Sequence, residues 1–337
     1  MRLHRRVTTL AAAFTLAAAA AASPADAAWL LHVRAVPGRT ERATAPGPAW
    51  PSRASAQFRT VDVPGALWTA ANAVNNKGTV VGAWVGSPGG PFGFGYIEKP
   101  GAQPTTFNFP GTYDVTAPSA LNDWGTAVGA YLDSSGVPHG WVRWPSGRFT
   151  QLDDPAGVGG TSLFQINDAG VIVGGYTDAS GTGHGFVYDH GTFTTLDFPG
   201  AVGTALTGVN NSGAIVGSYT DAFGVYHGFR YEHGTFTTID APGAGTASGQ
   251  GTPALSISAS GVIVGFVTND SGGGFFGWLL TKGQFSSLDE PNAAPGLSVP
   301  LNISSNGRYV SGEYFDTSGV LHGYVATLTS YGTTTHK

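Results

Sequence analysis

Four histidines in this sequence share one local pattern, because each follows an aspartate by six residues. The pairs are Asp133 and His139, Asp178 and His184, Asp221 and His227, and Asp316 and His322. An imidazole beside a carboxylate can bind a cation or transfer a proton. The pair can also serve folding alone, with the aspartate capping a turn and the histidine making one buried hydrogen bond. Repetition favours this structural interpretation, and Phe92 and Phe276 stand where two further copies are expected to carry histidine.

A second acidic series falls at the end of a predicted strand. Its members are Asp62, Asp153, Asp197, Asp240 and Asp289, with Asn108 in the remaining copy. Each aspartate stands two residues before a proline, where a carboxylate can satisfy backbone donors of the following turn. Calcium takes about six to eight oxygen ligands, usually from one compact loop. The sequence has no such loop, so we expect no cofactor, with weak Ca²⁺ binding left open.

The sequence contains no template of a common catalytic site. Gly-x-Ser-x-Gly, His-Glu-x-x-His and Gly-x-x-x-x-Gly-Lys-Ser/Thr are all absent. Carboxylates of separate repeats can converge as a glycosidase pair, but nothing in the sequence selects two of them. We therefore expect a protein that is not an enzyme.

An internal repeat is the strongest signal in the sequence. The best copies are Phe193–Ala201 and Phe236–Ala244, and weaker ones begin at Phe58, Thr106, Phe149 and Phe285. Each is followed by an Asn/Ser-x-x-Gly turn, and the turn glycines are spaced by 43 to 48 residues. One repeat divides into four short strands, A to D, separated by turns rich in Asn, Asp and Gly.

Four antiparallel strands in about 40–50 residues form one blade of a β-propeller. The six copies predict an all-β, six-bladed propeller of four-stranded antiparallel blades over residues 58–330. The first copy opens with a D-type strand at Phe58–Asp62, and the last stops after a C-type strand at His322–Ala326. The N-terminal strand should therefore close the ring as the outer strand of the last blade, which removes an exposed edge.

Three motifs carry a resemblance to a known family. They are Leu/Ile-Asp-x-Pro-Gly-Ala, Ile/Val-Asn-x-x-Gly-x-Ile-Val-Gly-x-Tyr and Asp-x-x-Gly-x-x-His-Gly-Phe. Together they resemble the HAF-type extracellular repeat family over residues 58–326, and its His-Gly-Phe element stands at His184–Phe186 and His227–Phe229. The resemblance implies an exported bacterial repeat protein without an established activity. The first and fifth copies depart from the pattern.

The N-terminus has the three parts of a signal peptide. Met1–Arg6 is basic, Val7–Ala22 is apolar and Ala25–Ala27 supplies small residues before a cleavage site. We predict a signal peptide over 1–27, a flexible linker over 28–57, and a tail over 331–337. The protein should be secreted or periplasmic, by the general or the twin-arginine route. Cysteine is absent, so stability cannot depend on disulfides.

The predicted folded part is strongly acidic. From Phe58 onward nine Lys and Arg stand against nineteen Asp and Glu, a net charge of −10. Phosphate contacts need clustered Lys and Arg, so nucleic acid is excluded as a partner. A glycan or a cationic ligand suits this charge better. No later segment has the length and apolarity of a membrane span, and we expect a monomer.

The turns of a four-stranded blade should divide the charges between two faces. The D–A and B–C connections emerge on one face, which collects both acidic series. The ligand-facing ring is predicted to be Asp133, Asp178, Asp221, Asp270 and Asp316. His190, His233 and Lys282 lie in turns of the opposite, less negative face. The other interpretation is that these carboxylates only cap turns and keep the protein soluble.

Together these features predict a non-enzymatic binding or structural propeller. The alternative is a hydrolase or lyase that acts on polysaccharide. Propellers host such enzymes, and Trp68, Trp84, Trp124 and Trp141 can stack on sugars. A cleft with two carboxylates of raised pKa would favour the enzyme.

Overall fold

Short runs of β-branched, small and aromatic residues between Gly-rich turns form strands throughout the structure. It is a computed structural model that describes residues 47–86, 93–112, 116–269 and 274–329. Within these ranges it contains 24 strands, and no helix there has the length and apolarity to cross a membrane. The predicted signal peptide 1–27, most of the linker and the tail 331–337 lie outside the described residues, as do Phe92 and Asp270.

The strands follow one another with short connections. The first thirteen are β1 (Ala56–Val61), β2 (Trp68–Val74), β3 (Val80–Val85), β4 (Phe94–Glu98), β5 (Thr105–Phe107), β6 (Thr116–Leu121), β7 (Ala127–Leu132), β8 (Pro138–Arg143), β9 (Phe149–Gln151), β10 (Thr161–Ile166), β11 (Ile172–Thr177), β12 (Gly183–Asp189) and β13 (Thr192–Thr195). The others are β14 (Gly203–Val209), β15 (Ile215–Thr220), β16 (Tyr226–Glu232), β17 (Thr235–Ile239), β18 (Ala254–Ile257), β19 (Ile263–Thr268), β20 (Phe275–Thr281), β21 (Gln284–Ser287), β22 (Leu297–Ile303), β23 (Tyr309–Phe315) and β24 (Leu321–Leu328).

These strands divide into six antiparallel groups of four. Blades 1 to 5 are β2–β5, β6–β9, β10–β13, β14–β17 and β18–β21, and blade 6 is β22–β24 with β1 as its outer strand. Strand A of each blade packs on strand B of the preceding one, and β2 packs beside β22, β23 and β24. The ring is therefore closed, and the fold is the predicted β-propeller. Closure by the N-terminal strand is confirmed, since β1 pairs with β24 from Ala56–Leu328 to Val61–Gly323.

A glycine of strand B and an aromatic residue of strand C form the centre of each blade. In blade 3 a Cβ added to Gly174 would lie 2.2 Å from the Ser162 carbonyl oxygen and 2.7 Å from the Phe186 ring. The aromatic residues at this position are all fully buried: Tyr96, Trp141, Phe186, Phe229, Trp278 and Tyr324. Glycine is thus required at this position so that the ring can lie flat against strand B.

The Asn-x-x-Gly turns connect the blades at their A–B ends. Asn122 accepts hydrogen bonds from the amides of Trp124 and Thr126 through Oδ1, and its Nδ2 donates to the Asn167 carbonyl of the next blade. Asn75, Asn167 and Asn210 make the same link to the next turn. Serines replace asparagine in blades 5 and 6, and there the Ala259 amide donates to the Ser305 carbonyl at 2.8 Å. The turns therefore fix the blades to one another.

Residues 47–55, which the sequence assigns to a flexible linker, pack against blade 5. We call them the N-terminal strap. The Ser287 amide of β21 donates to the Ser52 carbonyl at 3.0 Å, and the Ala54 amide donates to the Ser287 carbonyl at 2.8 Å. The Trp50 ring stacks on Phe285 with centroids 5.8 Å apart. The boundary predicted at 57 is therefore wrong, because the strap satisfies backbone groups on the open edge of β21.

Candidate functional site

The predicted acidic residues lie on one face of the propeller. Consecutive strands are antiparallel, so the B–C and D–A connections share a face, which we call the acidic face. The B–C turns place Asp133, Asp178, Asp221 and Asp316 there, and the ends of the D strands place Asp62, Asp153, Asp197, Asp240 and Asp289 beside them. The C–D turns at His190, His233 and Lys282 lie on the opposite face, where each residue has a positive φ of 45° to 51° before a glycine.

Each of the four histidines lies between two aspartates and against a tyrosine. In blade 3 the Nδ1 of His184 donates to Asp197 Oδ2 at 2.7 Å, and Nε2 lies 3.4 Å from Asp178 Oδ2. The imidazole stacks on Tyr176, with centroids 5.0 Å apart. We call this arrangement a Tyr–Asp–His–Asp cluster. The other three are Tyr131–Asp133–His139–Asp153, Tyr219–Asp221–His227–Asp240 and Tyr314–Asp316–His322–Asp62.

The closer partner of each histidine is thus the strand-D aspartate, and the sequence missed this pairing. Nδ1 lies 2.7 to 2.9 Å from that carboxylate, whereas Nε2 lies 3.4 to 3.7 Å from the aspartate six residues earlier. The B–C aspartates cap their own turns, as Asp178 Oδ1 does by accepting from the Ser180 and Thr182 amides.

The strand-D aspartates do not satisfy the following turn, and that expectation was wrong. Asp197 Oδ1 instead accepts from the Gly185 amide of strand C at 3.0 Å. The turn donor, the Phe198 amide, binds the Thr204 hydroxyl of the next strand A at 3.0 Å. The same hydroxyl contact recurs at Thr69, Thr116, Thr161, Thr252 and Ser298. A hydroxyl residue near the start of every strand A was the signal that could have revealed it.

Electrostatics in the blade 3 cluster favours the charged forms of Asp178 and His184. Hydrogen bonds from Ser180 and Thr182 hold the pKa of Asp178 at about 2. Burial lowers the pKa of His184, but the hydrogen bond and charge of Asp197 outweigh it, so the net shift is upward. A protonated imidazole can donate to both carboxylates. Because the histidine stands between the carboxylates, their oxygens do not converge on a shared point, and the described residues contain no group of three or more ligands suited to a metal.

The first and fifth blades replace the histidine with phenylalanine. In blade 5 this is Phe276, as the sequence predicted, because it pairs with Val267 where His184 pairs with Tyr176. In blade 1 the equivalent residue is Phe94 and not Phe92, since Phe94 pairs with Trp84. The Phe94 and Trp84 rings stack at 5.3 Å. The long B–C connection of blade 1 displaced the sequence alignment by two residues.

Blade 5 also borders a cleft. The cleft has a volume of about 580 Å³ and lies between the N-terminal strap and the connection from β21 to β22. Its lining includes Trp50, Arg53, Phe276, Asp289, Glu290 and Ser298. Burial raises the pKa of Asp289, against the charge of Arg53 and a hydrogen bond from Ser287. Glu290 is buried, and both of its carboxylate oxygens accept hydrogen bonds from Asn292.

Charge is unequally divided between the two faces. Besides the nine aspartates named above, the acidic face carries Asp154 and Glu290, and its one described Lys or Arg is Arg53. Seven of the other described cations lie in A–B or C–D turns or in the half of a strand next to them: Lys77, Lys99, Arg143, Arg148, Arg230, Lys282 and Arg308. The eighth, Arg59, lies in the middle of β1, and its guanidinium binds Glu98 at the C–D end of β4. The propeller is therefore electrically polar along its axis.

The four tryptophans proposed for sugar stacking do not form one platform. Trp141 is fully buried in blade 2, and Trp84 packs on Phe94. Trp124 is 68% exposed, but it lies in an A–B turn on the opposite face. Its indole nitrogen donates to the Asp168 carbonyl at 3.0 Å. Trp68 begins β2 and is half-buried.

Three further acidic residues were not predicted from the sequence. Asp123 and Asp168 line a water-sized cavity of about 30 Å³ at the A–B turns, but their Oδ1 atoms accept from the Asn76 and Asp123 amides respectively. Glu313 in β23 is paired with Gly323 and faces blade 1, and burial raises its pKa to about 7. The sequence signal that could have revealed Glu313 was a charged residue inside a strand with no other charge.

Comparisons with known proteins bear only on the fold. No protein-family model matches the chain, and no curated protein matches it. Among solved structures, a virginiamycin B lyase from Staphylococcus aureus is 12% identical, over 82% of this chain and 100% of that one, with a TM-score of 0.47. AofleA from Arthrobotrys oligospora is 14% identical, over 83% and 91%, with a TM-score of 0.49. The β-propeller domain of the Trilobed protease from Pyrococcus furiosus is 9% identical, over 79% and 98%, with a TM-score of 0.45.

Proposed function

We propose that the protein is an exported, non-enzymatic binding propeller whose acidic face holds a cationic protein or peptide. The observation that carries this proposal is the charge division, with eleven carboxylates and Arg53 alone among the described Lys and Arg on that face. A ring of one charge sign around a propeller mouth focuses the field and attracts partners of opposite charge. Export is supported by the signal-peptide pattern of residues 1–27 and by the HAF-type motifs.

Exposed apolar side chains support a macromolecular partner over a bare ion. Val158 is 67% exposed and Val202 is 56% exposed, each in a D–A connection. Phe223, at the tip of the blade 4 B–C turn, is 82% exposed. Protein interfaces combine apolar contacts at the centre with a polar rim, and these residues lie among the aspartates. Hydrogen bonds outweigh burial and lower the pKa of the B–C aspartates, which keeps these carboxylates ionised: Asp133, Asp178, Asp221 and Asp316.

A polysaccharide-acting hydrolase or lyase is the second candidate. The cleft beside the N-terminal strap favours it, because Asp289 has the raised pKa that a general acid needs. A hydrolase of this kind requires a second free carboxylate. Glu290 adjoins Asp289, but its two oxygens are held by Asn292. The geometry therefore supports binding better than hydrolysis.

Calorimetric titration with octalysine tests the proposed function. We expect binding at low salt whose affinity falls steadily as salt rises, because exposed charges are screened, and no binding of octaglutamate. Neutral glycans and Ca²⁺ with an EDTA reversal form parallel titrations. Absence of octalysine binding at low salt, or binding of a glycan or Ca²⁺ in its place, would overturn the cationic-partner proposal.

Two double variants test which face of the propeller binds octalysine. Asp133→Asn with Asp221→Asn removes two charges from the acidic face while asparagine keeps the turn-capping oxygen. Asp189→Asn with Glu232→Gln removes the same charge from the opposite face. Only the first pair should weaken octalysine binding, by roughly three- to tenfold at low salt. Equal weakening by both pairs would show that net charge, and not the acidic face, binds the peptide.

A further inference from the structure

The cleft beside the N-terminal strap is where the repeat symmetry of the acidic face is broken. In four blades the strand-D aspartate accepts a hydrogen bond from a histidine. In blade 5 Phe276 takes the place of that histidine, yet Asp289 is kept. Its carboxylate is bonded instead to the Ser287 hydroxyl. Arg53 does not replace the imidazole, because its Nη2 donates to the main-chain oxygen of Asp289 at 2.8 Å.

The strap gives this carboxylate an apolar surrounding. A Cβ added to Gly47 would lie 2.6 Å from the Phe276 ring, so the strap crosses directly over that ring. Trp50 and Phe276 line the cleft together with Pro48, Ala294 and Pro295. Such walls suit the methylene stem of a long side chain, while an aromatic ring attracts a cation at the stem's end.

The size and charge of the cleft select one kind of occupant. Its volume of about 580 Å³ is ample for a single long side chain and the backbone beside it. The lining carries two carboxylates, Asp289 and Glu290, against one guanidinium, Arg53, which leaves one negative charge. A guanidinium is more weakly hydrated than an ammonium, stacks on aromatic rings and matches a carboxylate in a planar, bidentate contact. A partly desolvated carboxylate between aromatic walls therefore fits arginine best.

We propose that this cleft is the anchor pocket for an arginine side chain of the partner, with Asp289 as the carboxylate that receives the guanidinium and Trp50 and Phe276 as the walls around the stem. This inference rests on the proposed function and adds specificity to it. The acidic face as a whole attracts any cationic chain, whereas the cleft distinguishes arginine from lysine and from neutral side chains.

Three peptides in calorimetric titrations of the full protein test the anchor pocket. They are octalysine and two versions in which one central lysine is replaced by arginine or by citrulline, the neutral isostere. The arginine peptide should bind about tenfold more tightly than the citrulline peptide. The arginine peptide should also bind more tightly than octalysine. Equal affinities of all three peptides would overturn the anchor pocket while leaving the acidic face as a binding surface.

A matched pair of variants tests whether the cleft causes the preference for arginine over citrulline. Asp289→Asn should remove the difference between the arginine and citrulline peptides. Asp240→Asn makes the same charge change at the equivalent site of blade 4, where the aspartate is hydrogen-bonded to His227. This variant should weaken the binding of all peptides while keeping the ratio of the arginine and citrulline affinities. An unchanged ratio in Asp289→Asn would refute the proposal. Thermal melting checks that both variants keep the fold.

N-acetyl-arginine amide separates failure of this inference from failure of the proposed function. It is small enough to enter the cleft without the rest of the acidic face. Saturable binding that Asp289→Asn abolishes would support the anchor pocket even when octalysine does not bind. Absence of binding by this probe, with octalysine bound, refutes the anchor pocket alone. Absence of both refutes both proposals.

Discussion

At the residue scale, the exchange of histidine for phenylalanine shows which parts of a Tyr–Asp–His–Asp cluster belong together. Blade 1 has Phe94 and also Asn108 in the strand-D position, so the imidazole and its carboxylate are both gone. Blade 5 has Phe276 but keeps Asp289, where the strap builds a cleft over the carboxylate. The histidine thus fills space in every cluster and also hydrogen-bonds the strand-D aspartate. Phenylalanine reproduces only the first of these roles.

Substitutions at His184 should separate these two roles. His184→Ala should lower the free energy of unfolding by about 1–3 kcal/mol, through a cavity against Tyr176 and a lost partner for Asp197. His184→Phe should cost less, and adding Asp197→Asn to it should recover part of the loss, as in blade 1. Denaturant unfolding at pH 7 measures the full double-mutant cycle. Phenylalanine as damaging as alanine would mean that the charge, and not the volume, dominates.

Glu313 should make the protein less stable as pH rises. Burial raises its pKa from 4.5 to about 7 in the folded state, so folding is favoured while the group is protonated. The stabilisation is complete below about pH 4.5 and is lost as pH rises through 7. Glu313→Gln should therefore melt at a higher temperature than the native protein at pH 8, and the difference should shrink toward pH 4.5. A constant difference across this range would show that folding does not shift the pKa of Glu313.

At the element scale, the interlock of β1 with β24 and the packing of the strap make separate contributions. β1 supplies the whole outer strand of blade 6, whereas the strap covers the edge of β21 and the apolar surface around Phe276. Chains beginning at Gly47, Ala56 and Gly65 separate the two. Starting at Ala56 should lower the melting temperature moderately, and starting at Gly65 should lower it far more, because blade 6 then loses a strand and exposes a new edge. Equal melting of the last two chains would contradict closure by β1.

The sequence was sufficient for the strands, the blades and the closure, because these depend on short-range signals that repeat. Turn residues such as Asn122 and Asp178 mark the boundaries, and the copies reinforce one another. The candidate site was predicted only in part. His184 and Asp197 lie on strand C and just after strand D, and they meet only when the folded blade sets the register of the two strands. The contact of Arg53 with Asp289 spans 236 residues. Such distant pairs leave no periodic pattern, so the strap was interpreted as a linker and the cleft was missed.

At the scale of the whole molecule, the closed ring allows the chain to be opened at a different turn. One blade is then still completed by strands from both ends of the chain. The link between β24 and β1 resembles a C–D hairpin, since Ala56 pairs with Leu328. The two-residue turn His190–Gly191 is a natural opening with the same geometry in blade 3. A chain that starts at Thr192, joins Thr329 to Ala56 by a short linker and ends at Gly191 would move the interlock from blade 6 to blade 3.

The site of opening should decide the stability of such permuted chains. The chain opened at His190–Gly191 should melt within a few degrees of the unpermuted chain that starts at Ala56, because one blade is again completed by both ends of the chain. A chain opened instead in the D–A connection at Gly200–Ala201 has six self-contained blades and no interlock, and it should melt at a clearly lower temperature. Both lack the strap, so they differ only in the break. Circular dichroism melts of the three chains measure this, and equal melting of the two permuted chains would mean that the A–B turn contacts alone hold the ring closed.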